Sequence, residues 1–154
     1  MATIAKQNPK FAKGEAIDIV RRGSAAVTWK AGQLLKTASG NVTPCVTGDT
    51  EIKYIALSDQ DVAPSAGTLV KVGVLKAGTE LEINELDGTL AAANVGENYG
   101  INVASNIVTL DVADTTNLAV KITQLAADYN SEKYDSTDVQ ARCRVRILSS
   151  VLDA

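Results

Sequence analysis

Glu80 and Glu82 straddle Leu81 in the stretch GTELEIN. Two carboxylates at that spacing fall on one face of a strand, and a pair of carboxylates is the machinery of glycoside hydrolysis. That chemistry requires one member in a cleft with a raised pKa, which two outward-facing neighbours do not meet. Asp59 and Asp61, in SDQD, are hard-cation ligands by type. A calcium site takes about six to eight oxygens, so these two read instead as a solvated loop between strands. Cys45 and Cys143 read as small buried thiols. The chain contains no histidine. This removes Ser-His-Asp and Cys-His catalysis and imidazole-based metal sites. Neither a phosphate-binding loop nor a strand-linked dinucleotide fingerprint occurs. The expectation is a protein with no catalytic residue, no metal and no cofactor, and hence not an enzyme.

The most distinctive chemistry is cationic. In VQARCRVRIL, Val139 to Leu148, period-two alternation puts Val139, Ala141, Cys143, Val145 and Ile147 on one face. Gln140, Arg142, Arg144 and Arg146 occupy the other. Same-face residues on a strand lie only about 7 Å apart, so the guanidinium groups repel unless something offsets them. Arginine stands at all three positions and lysine at none, and its planar fork suits bidentate carboxylate contacts at interfaces. The expectation is that Arg142, Arg144 and Arg146 meet carboxylates of a neighbouring chain. Glu80 and Glu82, with Glu85 and Asp87 beyond, form the acidic counterpart, and pairing with them inside one chain is the rival.

These groups must be positioned by strands. Short β-type segments recur: 16–20 (ended by Arg21-Arg22-Gly23), 25–29, 33–37, 42–46, 52–57, 68–75, 79–83, 99–103, 107–112, 118–125 and the arginine strand. Turn residues separate them at intervals of about ten, the spacing of an all-β sandwich or barrel. Pro44 makes 42–46 an edge strand. GTLAAANVGENY allows one helical turn. The fold expected is all-β: a small barrel or sandwich of about ten short strands, residues 16–154, preceded by an extended N-terminal arm, residues 1–15.

In the arm, Lys6, Lys10 and Lys13 surround Phe11, the only phenylalanine. An isolated aromatic among lysines suits a segment that orders on a partner. At 154 residues the chain is large enough to fold as one domain without disulfides. With 4% aromatic residues, the core is aliphatic. A formal net charge of −3 argues against nucleic acid as a partner. No stretch approaches the ~20 apolar residues of a membrane span, and the N-terminal stretch carries no secretory signal, so synthesis in a cytosol is expected. Trp29 is expected to cap the core at a strand end.

The stretch KYIALSDQDVAPSAGTLVKVGVLKAGTELEI, Lys53 to Ile83, resembles a pattern in head-decoration, or cement, proteins of tailed bacteriophages. A strand, Tyr54–Leu57, leads into a polar turn. A Gly-led strand, Gly67–Val72, follows, and Gly78-Thr79 opens the next. Upstream, VTWKAGQLLKTASGNVTPC is similar in its alternation of short strands and an Ala-Gly turn, and GENYGINVASNIV is similar to later hairpins of that family. The likeness spans about residues 14 to 112. It implies a structural virion protein that binds the outside of an expanded capsid and stabilises the shell. It further implies the major capsid protein as partner, a homo-oligomer (a trimer before a dimer), and an arm reaching over neighbouring subunits. The location implied is the outer capsid surface, after synthesis in the host bacterial cytoplasm. The alternative is a carbohydrate- or surface-binding β-sandwich module. For that reading Tyr129 and Tyr134, bracketing NSEK in an exposed loop, are the candidate ligand-facing residues.

Overall fold

The computed structural model describes residues 6–13, 19–86, 90–129 and 142–154. The described residues form eleven strands: β1 (Lys10–Lys13), β2 (Ile19–Ser24), β3 (Leu34–Ala38), β4 (Asn41–Pro44), β5 (Tyr54–Ile55), β6 (Leu69–Val74), β7 (Glu80–Asn84), β8 (Asn98–Ala104), β9 (Ile107–Asp111), β10 (Val120–Leu125) and β11 (Arg142–Ile147). Two single-turn helices, α1 (Ala126–Tyr129) and α2 (Ser149–Leu152), and a 3-10 turn at Ala92–Asn94 complete them. The protein is all-β.

Strands β2-β4-β3-β5-β6 close into a barrel, and the others form a six-stranded sheet in the order β1-β7-β11-β10-β8-β9. The far strand, β9, curls back to the end of β7. Glu85 bridges Leu110 there, and the Leu86 N–H donates to the Leu110 carbonyl at 2.8 Å. Tight turns set the hairpins. Ser39 and Gly40 join β3 to β4, and Ser105 and Asn106 join β8 to β9, all with positive φ. Two-residue turns with positive φ at both positions match the right-handed twist of the flanking strands.

β3 and β5 are the wall shared by the two halves. Leu34 and Ile55 point into the larger core, with Leu81, Ile83, Ile101, Leu110, Ile122 and Val145. Their chain neighbours Leu35 and Tyr54 point the other way, into the barrel, with Trp29, Val42, Ala56 and Val72. Successive side chains on a strand face opposite sides, so a strand buried on both faces reads as a continuous apolar run. That explains LL at 34–35 and YI at 54–55. Cys45 and Cys143 are both free and buried.

The strand expectations need correction at several places. Arg21–Gly23, read as a terminator, lie inside β2, because pairing with β6 continues from Ile19↔Gly73 to Gly23↔Leu69. Residues 25–29 form no strand. They wrap the barrel mouth through a single bridge, Trp29↔Gln60, and Trp29 plugs the interior at 3% exposure. Residues 42–46, read as an edge strand, form β4 over Asn41–Pro44 between β2 and β3; Pro44 is accommodated because it lies past Ser24, the last residue of β2, where β4 has a strand on one side only. The first residues of the 16–20 segment and residues 139–141 of the arginine strand lie outside the described residues.

The arm, expected to stand apart, is built into the sheet over residues 6–13. β1 pairs antiparallel with β7, Lys10 opposite Glu82 and Phe11 opposite Leu81. Asn8 fastens the segment just before it: its Nδ2 donates to the Asn106 carbonyl at 2.8 Å, and its Oδ1 accepts the Val108 N–H at 2.9 Å. Gly32 makes room. Its φ is +83°, and a Cβ there would lie 2.5 Å from the Pro9 carbonyl oxygen. The physical reason is that Phe11 and Pro9 cover apolar surface of the same chain, at the edge of a cavity of about 450 Å³ shared with Ile55, Ala56 and Leu57. Phe11 remains 40% exposed.

Candidate functional site

The apolar face of β11 is as expected: Cys143, Val145 and Ile147 enter the larger core. Its cationic face meets β7 on one side and β10 on the other. In register, Lys13, Glu80, Arg146 and Lys121 make one row across β1, β7, β11 and β10. Lys10, Glu82, Arg144 and Gln124 make the next, and Asn84 with Arg142 a third. Carboxylates therefore stand beside the arginine column, and cross-strand neighbours of opposite charge offset its self-repulsion.

The three arginines have different surroundings. Arg142 is 1% exposed. Its Nε donates to Glu82 Oε1 at 2.8 Å and its Nη2 to the Glu82 carbonyl at 2.8 Å, while Nη1 donates to Asn84 Oδ1. Asn84 Oδ1 also accepts the Gln7 N–H at 2.8 Å, which ties the N-terminal segment to the same node. Lys10 Nζ lies 3.8 Å from the Glu82 carboxylate. Arg144 lies over the Tyr129 ring, 4.0 Å from its centroid, and its Nη1 reaches Gln124 Oε1 at 3.4 Å. The Tyr129 phenol is pushed far above its ordinary value, first by burial and then by the Glu82 carboxylate. The Arg146 side chain is exposed and makes no hydrogen bond or ion pair among the described residues.

The expectation that this strand meets a neighbouring chain is thus corrected for Arg142, which belongs to the fold of its own chain. The reason is desolvation: a guanidinium this buried needs its full set of acceptors close at hand, and Glu82 and Asn84 supply them. Arg144 is likewise engaged within the chain. Tyr129 is half-buried beneath that guanidinium instead of being displayed on a loop, and Tyr134 lies outside the described residues. Lys6 lines a small pocket with Leu86, Asn102 and Ile107.

The remaining candidate groups are structural. Asp59 and Asp61 hold Lys30. Asp59 Oδ2 is 3.7 Å from its Nζ, Asp61 Oδ1 is in direct contact, and Asp59 Oδ1 accepts the Ala31 N–H at 2.7 Å. They pin the 57–68 loop to the Ala-Gly turn. Burial pushes both thiols well above their ordinary range. No group of metal-ligating side chains occurs among the described residues.

Sequence reasoning passed over another surface, on the outside of the barrel. Ile19 and Leu69 are 59% and 67% exposed on the outward face of β2 and β6. Between them Arg21 lies directly opposite Lys71. Reading Arg21-Arg22-Gly23 as a strand end hid this pair, and only the β2–β6 register reveals it. No protein-family model, curated protein or solved structure matches the chain.

Proposed function

We propose that this chain is a structural virion protein that binds the outside of a tailed-bacteriophage capsid and stabilises the shell. The likeness of residues 53–83 to decoration proteins supplies the reading. The observation that carries it in the molecule is the placement of apolar surface. Aliphatic side chains are displayed outward at Ile19, Leu69 and Val62, whereas Trp29, Tyr54 and Tyr99 are buried and Phe11, at 40% exposure, is a single displayed ring. Exposed aliphatics beside cations suit contact with another protein surface. A sugar platform requires displayed aromatics, so this distribution weighs against the carbohydrate-binding alternative.

In this reading the partner is the major capsid protein, and the chain acts as a homo-oligomer, a trimer before a dimer. A clamp that binds only the assembled, expanded lattice stabilises that lattice by its own binding free energy. Repetition over the shell multiplies a modest contact. The test mixes purified protein with expanded empty capsids and, separately, with a glycan array. Binding to shells without glycan binding, together with a higher shell melting temperature, is the expected result. Glycan binding without shell binding overturns it.

A further inference from the structure

We propose that the open edge of β2, with the outward face of the β2–β6 pair, takes an extended acidic segment of a partner protein as an added strand. This deepens the reading above. It rests on the chain acting by binding another protein, and it names the chemistry of that contact.

The edge follows from the pairing. β6 runs along β2 from Ile19 to Gly23. On the other side of β2 the parallel strand β4 begins only at Gly23↔Asn41 and Ser24↔Val42. Ile19 to Arg22 therefore have a strand on one side and none on the other among the described residues. In an antiparallel pair, alternate residues direct both N–H and C=O to the same side, so this stretch presents donors and acceptors outward. Such an edge is a template for strand addition.

The side chains state what would be added. Arg21 and Lys71 face each other across β2 and β6, and neither makes an ion pair or hydrogen bond among the described residues. Arg22, on the opposite face of β2, is exposed, with its guanidinium 5.8 Å from the Tyr54 ring centroid. A chain of net charge −3 thus gathers three cations on this pair of strands, two of them on the edge strand. A strand laid along β2 would set consecutive side chains beside Arg21 on one face and Arg22 on the other. Carboxylates at those positions complete both, and an apolar residue next to them covers Ile19. Charged edges also serve to block self-association. Two large aliphatic side chains exposed by more than half beside the charges do not serve that end, and they fit the apolar centre of an interface.

The test uses the intact chain, labelled with 15N and on its Ile and Leu methyl groups. The probe is a blocked peptide of about eight residues, a typical strand length, made of valine with two consecutive glutamates at its centre, one for each face of β2. Two controls accompany it: the same peptide with lysine for glutamate, and one with alternate amides N-methylated. The glutamate peptide is expected to shift the amides of 19–22 and the methyls of Ile19 and Leu69, and to slow amide exchange at the edge. N-methylation or the double variant Arg21→Glu/Lys71→Glu should each weaken binding at least about tenfold, and the lysine peptide should not bind. Lys121→Glu, at a half-buried position in a like-charged pair elsewhere, should leave binding unchanged. Shifts centred elsewhere, no binding at millimolar peptide, or equal binding by the N-methylated or lysine peptide overturns the proposal. Capsid binding separates it from the broader reading. If the double variant binds shells as tightly as the intact chain, strand addition here fails and the decoration reading stands. If the peptide docks on β2 but the intact chain ignores shells, the decoration reading fails and this one stands.

Discussion

Replacing Arg142 by methionine keeps the buried stem and removes the guanidinium. Three acceptors lose their donor: Glu82 Oε1, the Glu82 carbonyl and Asn84 Oδ1. Breaking a buried ion pair by removing one partner typically costs about 3 to 5 kcal/mol, because a charge is left uncompensated. Here the Glu82 side chain retains 14% exposure and has Lys10 Nζ 3.8 Å away. Asn84 Oδ1 keeps the Gln7 N–H. The expected loss is therefore at the lower end, about 3 kcal/mol. For a chain of this size that corresponds to a fall in melting temperature of roughly 6 to 12 °C. Glu82→Leu alone should cost a similar amount by stranding the guanidinium. The double variant should recover most of the sum, since a packed apolar pair often equals a buried ionic one in stability. Urea unfolding of the four proteins in a double-mutant cycle measures this, with Arg146→Met as the control. Exposed, and with no ion pair to its side chain among the described residues, Arg146 should change stability by no more than about 0.5 kcal/mol. If Arg142→Met costs less than about 1 kcal/mol, or the two losses simply add, the pair does not hold β7 to β11 as argued.

Gly32→Ala should destabilise by more than about 1 kcal/mol and speed amide exchange in β1, because the new Cβ meets the Pro9 carbonyl at positive φ. Unchanged exchange in β1 would show that the turn does not seat the arm. Cys45 and Cys143, with thiols pushed up by burial, should resist an aromatic disulfide reagent at mildly alkaline pH and react together on unfolding. Rapid reaction of either in the native state contradicts their packing. The Asp114 carboxyl is held below its usual range by the N–H groups of Asn117 and then Thr116. A depressed folded pKa stabilises above the unfolded value of about 3.9 and ceases to as pH falls through the folded one. Asp114→Asn should accordingly lose less stability on acidification below about pH 4, read as melting temperature against pH, and parallel curves would refute it.

The all-β fold was legible because alternation and turn chemistry agree. Ser39-Gly40 interrupts the apolar runs where a turn must adopt positive φ, and the Cys143, Val145, Ile147 face is apolar because it is buried. What could not be read depends on which strands become neighbours. Leu34-Leu35 and Tyr54-Ile55 look like ordinary strand cores, and nothing local says that adjacent residues serve two different interiors. The arginine column looked like an interface because its carboxylates come from β7, about 60 residues earlier, and their register is a property of the assembled sheet. The seating of the arm depends on Gly32, which as sequence is only half of a turn signal. Glu82 was recognisable as a counterpart, whereas Asn84, the other half of the Arg142 node, carries no charge to draw notice.

Among the described residues two cross-strand pairs carry like charges, Arg21–Lys71 and Lys121–Arg146. In water two charges about 5 Å apart interact by less than about 1 kcal/mol, so neither pair requires a partner for the fold's sake. What differs is the response to an incoming carboxylate. Arg146 has Glu80 opposite it on the other flanking strand, so an arriving anion meets a carboxylate as well as the cations. Arg21 and Lys71 are bordered by Ile19 and Leu69. An acidic strand that covers those aliphatic side chains also expels water around the charges. An opposite-charge contact worth about 1 kcal/mol in bulk water rises to about 4 at the effective dielectric of a protein surface. Apolar burial and ion pairing therefore reinforce each other at β2–β6, where a single event supplies both, and they do not at β10–β11. That asymmetry is the physical ground for placing the proposed acidic strand on the barrel side of the molecule.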